Sequence, residues 1–473
     1  MNSSTIESIA QIVGTKNVLT SEEDKIVYSY DGTPLLHQKP EAVVFPETAE
    51  HISQLLKLAK EDGFRIVPRG SGTGLSGGSI PVENSIALVM TRWNKILEVD
   101  ESNLTATVQP GVITSHLHKE AEKRGLFYPP DPGSMNICTL GGNVAENAGG
   151  LRGLKYGVTK DYVMGMELVL PDGQILTIGG KNVKDVAGYS LKDVFIGSEG
   201  TLGIITKIDL KLIPKPTSSV TLLAFFDTVP LAGEAVSEII AAKLTPCMME
   251  FLDNTTLRCV EEYTGLGLPT DKEAVLLIEV DGRGSSVVED AALVESILLS
   301  KKAQYLSKSD DPAESLRLKA ARRTAFSALA RQRPTTILED ATVPRSKLPE
   351  MLERIQYAAK KFELIIGNFG HAGDGNLHPT CLTDERNHAE ILRVHKAFDY
   401  IFEQAVALGG TITGEHGTGL AKKQFFEKIA SRPALHVMNS LKQVLDPDNL
   451  LNPGKIFTFK PKCESLLYAS PRK

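Results

Sequence analysis

The chain has 473 residues, 42% hydrophobic and 23% charged, with a formal charge of −6. That is enough chain for two or three domains with large cores. The acidic balance gives no footing for nucleic acid or an anionic membrane, and no apolar run of ~18 residues is present to cross a bilayer. Cys138, Cys247, Cys259, Cys381 and Cys463 form no Cys-x-x-Cys pair, which argues against an iron–sulfur cluster or a cysteine zinc site and suits a reducing, cytoplasmic setting. Met1 to Ala10 lacks the basic start and apolar block of a signal peptide.

Residues 1–40 read as an N-terminal cap with helix-compatible segments. A strand at Ala42–Phe45 precedes a helix from Thr48 to Asp62, in which Ile52, Leu55, Leu56 and Ala59 share a face and Gly63 is the stop. Strand Arg65–Val67 then delivers the chain into Pro68-Arg69-Gly70-Ser71-Gly72-Thr73-Gly74-Leu75-Ser76-Gly77-Gly78. A Rossmann loop would open a helix here; instead a new strand, Ile86–Met90, follows. No Gly-Lys-Ser/Thr is present for a Walker A loop. Two readings remain, a glycine nest for a pyrophosphate and a plain glycine-rich surface turn.

Strands at Ile96–Val99 and Thr105–Val108 and a helix over Ile113–Arg124 lead to a rigid turn, Tyr128–Gly133. A second glycine-rich stretch, Thr139–Gly150, suits backbone lying flat against a ligand. A hairpin (Val163–Leu170, Gln174–Ile178) and the alternating strand Ile204–Leu212 follow, and Pro214-Lys215-Pro216 marks a boundary. From Thr217 strands alternate with long helices, which predicts an α+β domain with an antiparallel sheet; beyond Gly414 the chain reads as helical. The predicted units are 1–40, 41–216, 217–420 and 421–473.

His371 and His378 lie symmetrically about the Asp374-Gly375 turn dipeptide. A hairpin closing there sets them directly opposite, Cβ atoms about 5 Å apart, near enough for one metal or for a simple hydrogen-bonded pair. Gly414-Glu415-His416-Gly417 ends a short strand, Thr411–Thr413; Glu415 is a candidate third ligand and His416 a candidate general base, against the blander reading of a polar turn. Arg317, Lys319, Arg322, Arg323 and Arg331 are placed on one helix, mostly a solvated face, with one free to turn inward and grip a carboxylate.

These stretches occur together and in order with Gly203–Leu212 and Leu451-Asn452-Pro453-Gly454-Lys455. The set resembles the flavoprotein 2-hydroxyacid dehydrogenases of the vanillyl-alcohol oxidase type, in particular the bacterial glycolate oxidase branch, with D-lactate and D-2-hydroxyglutarate dehydrogenases as relatives. The resemblance covers residues 40–460. It implies an α+β protein: a PCMH-type FAD-binding domain of two subdomains, an antiparallel substrate (cap) domain, and a C-terminal helical segment returning to the FAD domain. It implies that Pro68, Arg69, Gly70, Ser71, Gly72, Thr73, Gly74, Gly77 and Gly78 hold the FAD pyrophosphate. Pro132, Gly133, Ser134, Thr139, Gly141, Gly142, Asn143 and Asn147 then follow the flavin, with Gly203, Ile205 and Asn452 completing the cofactor site.

By the same resemblance His371, His378 and Glu415 bind a divalent metal, Zn or Mn/Fe. His416 takes the substrate hydroxyl proton, and Arg323, with Arg322 second, holds the carboxylate while hydride passes to flavin N5. The glycine loop has no histidine, so covalent flavin attachment is not expected. Where the 2-hydroxyglutarate relatives carry a lysine before an aspartate, this chain has Leu338-Glu339-Asp340, which favours glycolate or D-lactate over a dicarboxylate. With no second redox centre, electrons must leave to oxygen, a quinone or a partner, and the resemblance implies an iron–sulfur subunit, which would bring a cytoplasmic protein to the membrane periphery. A non-catalytic flavin-carrying subunit is disfavoured by the histidines, and a nicotinamide enzyme by the missing helix after Gly77.

Overall fold

The computed structural model describes residues 1–460; Cys463 and the end of the C-terminal segment lie outside them. Three large sheets organise the described residues, beside a two-stranded pairing of Leu126–Phe127 with Ile213–Pro214. The first has four strands, with Val18–Leu19 antiparallel to Ala42–Val44, and with Ala42–Val44 and Arg65–Arg69 both parallel to a central Ser85–Val89. The helix between the first two parallel strands spans Ala49–Asp62. The Thr48 side chain accepts from His51 N, and Gly63 ends the helix at φ 75°. Ile52, Leu55, Leu56 and Ala59 are fully buried in the core it forms with the sheet. The glycine loop is itself the crossover from Arg65–Arg69 to Ser85–Val89, and no helix intervenes.

The second sheet is antiparallel, in the spatial order Ile96–Asp100, Thr105–Val108, Ile204–Lys211, Val163–Val169, Ile175–Gly179. The alternation read in Ile204–Lys211 is one of burial, since Ile204, Thr206, Ile208 and Leu210 face the core. Thr139–Gly150 departs from the flat reading. Leu140–Glu146 is a helix, with Thr139 Oγ1 accepting from Gly142 N and Asn147 ending it at φ 56°. Its small residues serve close packing, because a Cβ on Gly141 would press on Pro110.

The third sheet has eight antiparallel strands. Its path runs Gln304–Ser309, Ser218–Phe226, Ala274–Gly282, Met248–Asp253, Ile365–His371, Asn376–Thr383, Thr335–Leu338, with Ala341–Thr342 pairing Asn376–Thr383. Helices Val229–Ala241, Ser286–Ser300, Leu348–Lys361 and His388–Ala407 bury one face; the last, 20 residues long, is absent from the sequence reading. The basic helix is two, Pro312–Arg323 and Ala325–Ala330, divided at Thr324, so Arg331 stands apart from Arg317 to Arg323. Lys423–Ile429 and Arg432–Leu445 then lead back to the first sheet, where Leu451 bridges Ile66.

Candidate active site

The register of the third sheet builds one wall of the site. Glu250, His371 and Asn376 stand opposite one another on three adjacent strands, and Leu252, Phe369 and His378 form the next row on the same face. The hairpin therefore closes around Ala372–Gly375, one residue earlier than the Asp374-Gly375 turn predicts, and the two histidines are diagonal rather than opposite. Their rings still lie 5.1 Å apart, because imidazoles span a diagonal. His378 stacks on His416 at 4.9 Å. Thr411 makes only an isolated bridge to Thr342, so Glu415 and His416 sit on a loop rather than at a strand end.

What holds that loop is Asp340. Its buried carboxylate accepts from the backbone N–H groups of Gly414, Glu415 and His416 at 2.7, 2.9 and 3.2 Å, from Thr413 Oγ1 at 3.0 Å, and from Asn376 Nδ2. Burial alone would raise its pKa; His416 and Lys422 outweigh that and hold it below the usual range.

Glu415 Oε1 lies 3.1 Å from His371 Nε2 and 3.4 Å from His378 Nε2. The ligand atoms of these three residues all fall within 4.8 Å of one another. Glu250 Oε1 is 2.8 Å from His371 Nδ1, and its other oxygen pairs with Arg322 at 2.6 Å. The carboxylate thereby fixes the imidazole with Nε2 toward Glu415, as outer carboxylates do for metal-bound histidines. Burial opposes charge on His371, but Glu250 and Glu415 hold its pKa well above the imidazole range. Burial also opposes charge on Glu415, and the two histidines hold it well below the carboxylate range. A donor set of two imidazole nitrogens and a carboxylate that already favours positive charge at its centre fits a divalent cation.

The same cavity, about 650 Å³, is lined at one end by His371, His378, Glu415 and His416 and at the other by the glycine loop. None of the backbone N–H groups from Ser71 to Gly78 donates to another described residue, which leaves a concave row of free donors suited to a pyrophosphate. Pro68, Arg69, Gly70, Ser71, Gly72, Thr73, Gly74, Gly78, Pro132, Gly133, Ser134, Thr139, Gly141, Gly142, Asn143, Gly203 and Ile205 all line it. Gly77, Asn147 and Asn452 do not. Asn452 works from behind, its Nδ2 donating to the carbonyls of Gly78 and Glu199, and the Asn147 side chain accepts from Lys160 N.

Two family models match in sequence order, an FAD binding domain over residues 40–179 and the C-terminal domain of FAD linked oxidases over residues 215–456. The chain belongs to the FAD-linked oxidase family. It is 52% identical over 451 residues to glycolate oxidase subunit GlcD of Bacillus subtilis, covering 95% of this chain and 96% of the relative. The Escherichia coli K12 protein of the same name is 38% identical, over 97% and 92% of the two chains, and a D-lactate dehydrogenase of Anaerostipes hadrus 34%, over 94% and 95%. Among solved structures, p-cresol methylhydroxylase aligns with a TM-score of 0.78 at 17% identity over 96% of each chain, a likeness of fold.

Within this FAD-linked oxidase frame both predicted arginines reach the cavity, each already engaged. Arg323 Nη2 meets Asp131 Oδ2 at 2.6 Å, bridging the two halves of the chain, and Arg322 stacks over Phe369 at 4.8 Å while paired to Glu250. Of the two residues before Asp340, Leu338 lines the cavity; Glu339 instead faces Lys422 at 3.5 Å. Sequence reasoning missed Glu250, Asp340 as the loop's anchor, and Gly149, where a Cβ would lie 2.5 Å from Glu415 Oε2. The available signal for Glu250 was a carboxylate set between Met249 and Phe251 inside the strand Met248–Asp253.

Proposed function

We propose that the protein oxidises a small 2-hydroxy acid, glycolate or D-lactate, to the 2-oxo acid with non-covalently bound FAD. The observation that carries this reading is the single cavity joining the free N–H donors of the glycine loop to the His371–His378–Glu415 cage. The names of the relatives, a glycolate oxidase subunit and a D-lactate dehydrogenase, point the same way.

When bound, FAD supplies the hydride acceptor, and a divalent cation in the cage supplies a Lewis acid that acidifies the substrate hydroxyl. His371, His378 and Glu415 would hold that cation, with Glu250 aligning His371. His416 accepts the hydroxyl proton. Burial pushes its pKa down to about 4, and Asp340 stands 3.8 Å from Nδ1, placed to steady the protonated ring. Arg323, or Arg322 behind it, orients the carboxylate so that the Cα hydrogen faces the flavin. Leu75, Phe326 and Leu338 give this end of the cavity apolar walls, which suits a side chain of hydrogen or methyl. Electrons then leave to a quinone or an iron–sulfur partner; among the described residues no helix is long and apolar enough to cross a membrane.

Anaerobic titration of the purified flavoprotein with glycolate, D-lactate and D-2-hydroxyglutarate tests the proposal. The flavin absorbance should bleach with the first two. Bleaching by the dicarboxylate alone, or by none, would reject the substrate class.

A further inference from the structure

Two carboxyl groups on the cavity wall have no part in this scheme. Glu199 is 6% exposed; Glu146, at the end of the helix Leu140–Glu146, is half-buried, with its Oε2 atom closed off from solvent. They wedge between the glycine loop and the loop that carries Glu415 and His416. A Cβ on Gly78 would sit 2.8 Å from Glu146 Oε1 and 3.6 Å from Glu199 Oε2. One on Gly417 would collide with Glu146 Oε2 and lie 3.1 Å from Glu199 Oε1. Glu199 is held at φ 51°, an uncommon backbone state for a residue with a side chain. From there its two oxygens accept from Thr418 N at 2.7 Å and Gly419 N at 2.8 Å. Glu146 Oε2 has no partner.

We propose that Glu146 and Glu199 act as one carboxylic acid–carboxylate pair, Glu146 donating its O–H to Glu199, and that this pair sets the catalytic loop against the flavin domain. The assignment follows from hydrogen-bond bookkeeping. Glu199 accepts from two N–H donors and is therefore the carboxylate; Glu146 Oε2, buried beside Gly417 with Glu199 Oε1, has no hydrogen-bond partner and, left ionised, would set a second negative charge next to Glu199. The surrounding charges do not remove that conflict. Asp31 adds a third carboxylate; Lys422 opposes the effect but faces Glu339 at 3.5 Å, and Lys455 donates to Ile80 O from the C-terminal segment. Burial, then Glu199 and Asp31, keep the proton on Glu146 well above the carboxylate range. The pair lines the cavity, and its hydrogen bonds run to the loop. Its effect passes through Thr418 and Gly419 to His416, so both are positioning residues.

Infrared difference spectra of wild type against Glu146→Gln at neutral pH, in H2O and D2O, read the proton directly. A deuterium-sensitive carboxylic-acid C=O band should be present in the wild type and absent from the variant; its absence from the wild type overturns the proposal. In the second arm, Glu146→Ala should lower turnover by about tenfold or more with flavin still bound, and Glu146→Gln, which keeps a neutral donor, should restore most of it. An active Glu146→Ala, or a Glu146→Gln as impaired as the alanine variant, also overturns it. The spectral arm stands whether or not the cage binds metal, so failure here is separable from failure of the oxidation scheme.

Discussion

The two ends of the cavity recognise their ligands by opposite means. The glycine loop works by having almost nothing there: five glycines in eleven residues, no histidine, and a row of unspent backbone donors. The cage works by crowding titratable side chains together and then fixing each from behind, His371 by Glu250 and the Glu415–His416 loop by Asp340. A site of the first kind is insensitive to charge and sensitive to one added carbon. A site of the second kind tolerates little change in charge or donor atoms.

That contrast can be broken at three points. The largest effect is expected for His371→Ala, which should remove bound metal and cut turnover by about 10²-fold or more, with FAD retained. Metal analysis beside the flavin spectrum checks it, and full activity in excess chelator would reject the cage. His416→Ala comes next: turnover should fall by about 10²-fold while both metal and FAD stay, since only the proton acceptor is lost; near-normal turnover would remove His416 from its role. The smallest effect is expected at the other end. Gly70→Ala sets a methyl group against Thr139 Oγ1. The cost of about 1–3 kcal/mol should emerge as weaker FAD binding, measured by flavin fluorescence on titration into apoprotein, with metal content unchanged. Loss of metal in that variant would show that the two ends are not separable.

The part of the fold legible in the sequence was the part written in local pattern. Ala49–Asp62 carries its N-cap, its stripe and its glycine stop, and Ile204–Lys211 carries period-two burial. The hairpin was legible too, but its turn was misplaced by one residue. Asp374-Gly375 is a good two-residue turn, whereas Gly375 at φ 74° closes a longer turn over Ala372–Asp374. The site's ligands stood out because polar residues between glycines are locally odd. Their supports did not. Glu250 reaches His371 across 121 residues and Asp340 reaches the Glu415 loop across 75, distances over which no local pattern speaks. Leu140–Glu146 was misread because three small residues in a row look like loop, while Thr139 and the packing against Pro110 make them helix.

Gly149 belongs to the N-terminal half yet leaves room for only an oxygen of Glu415 from the C-terminal half. The centre is thus a seam rather than a possession of either domain. Recombining one half with that of a distant cousin would bring mismatched edges together along 146–153 and 414–421. Change on one side of that seam is inherited usefully only when the other side already accommodates it.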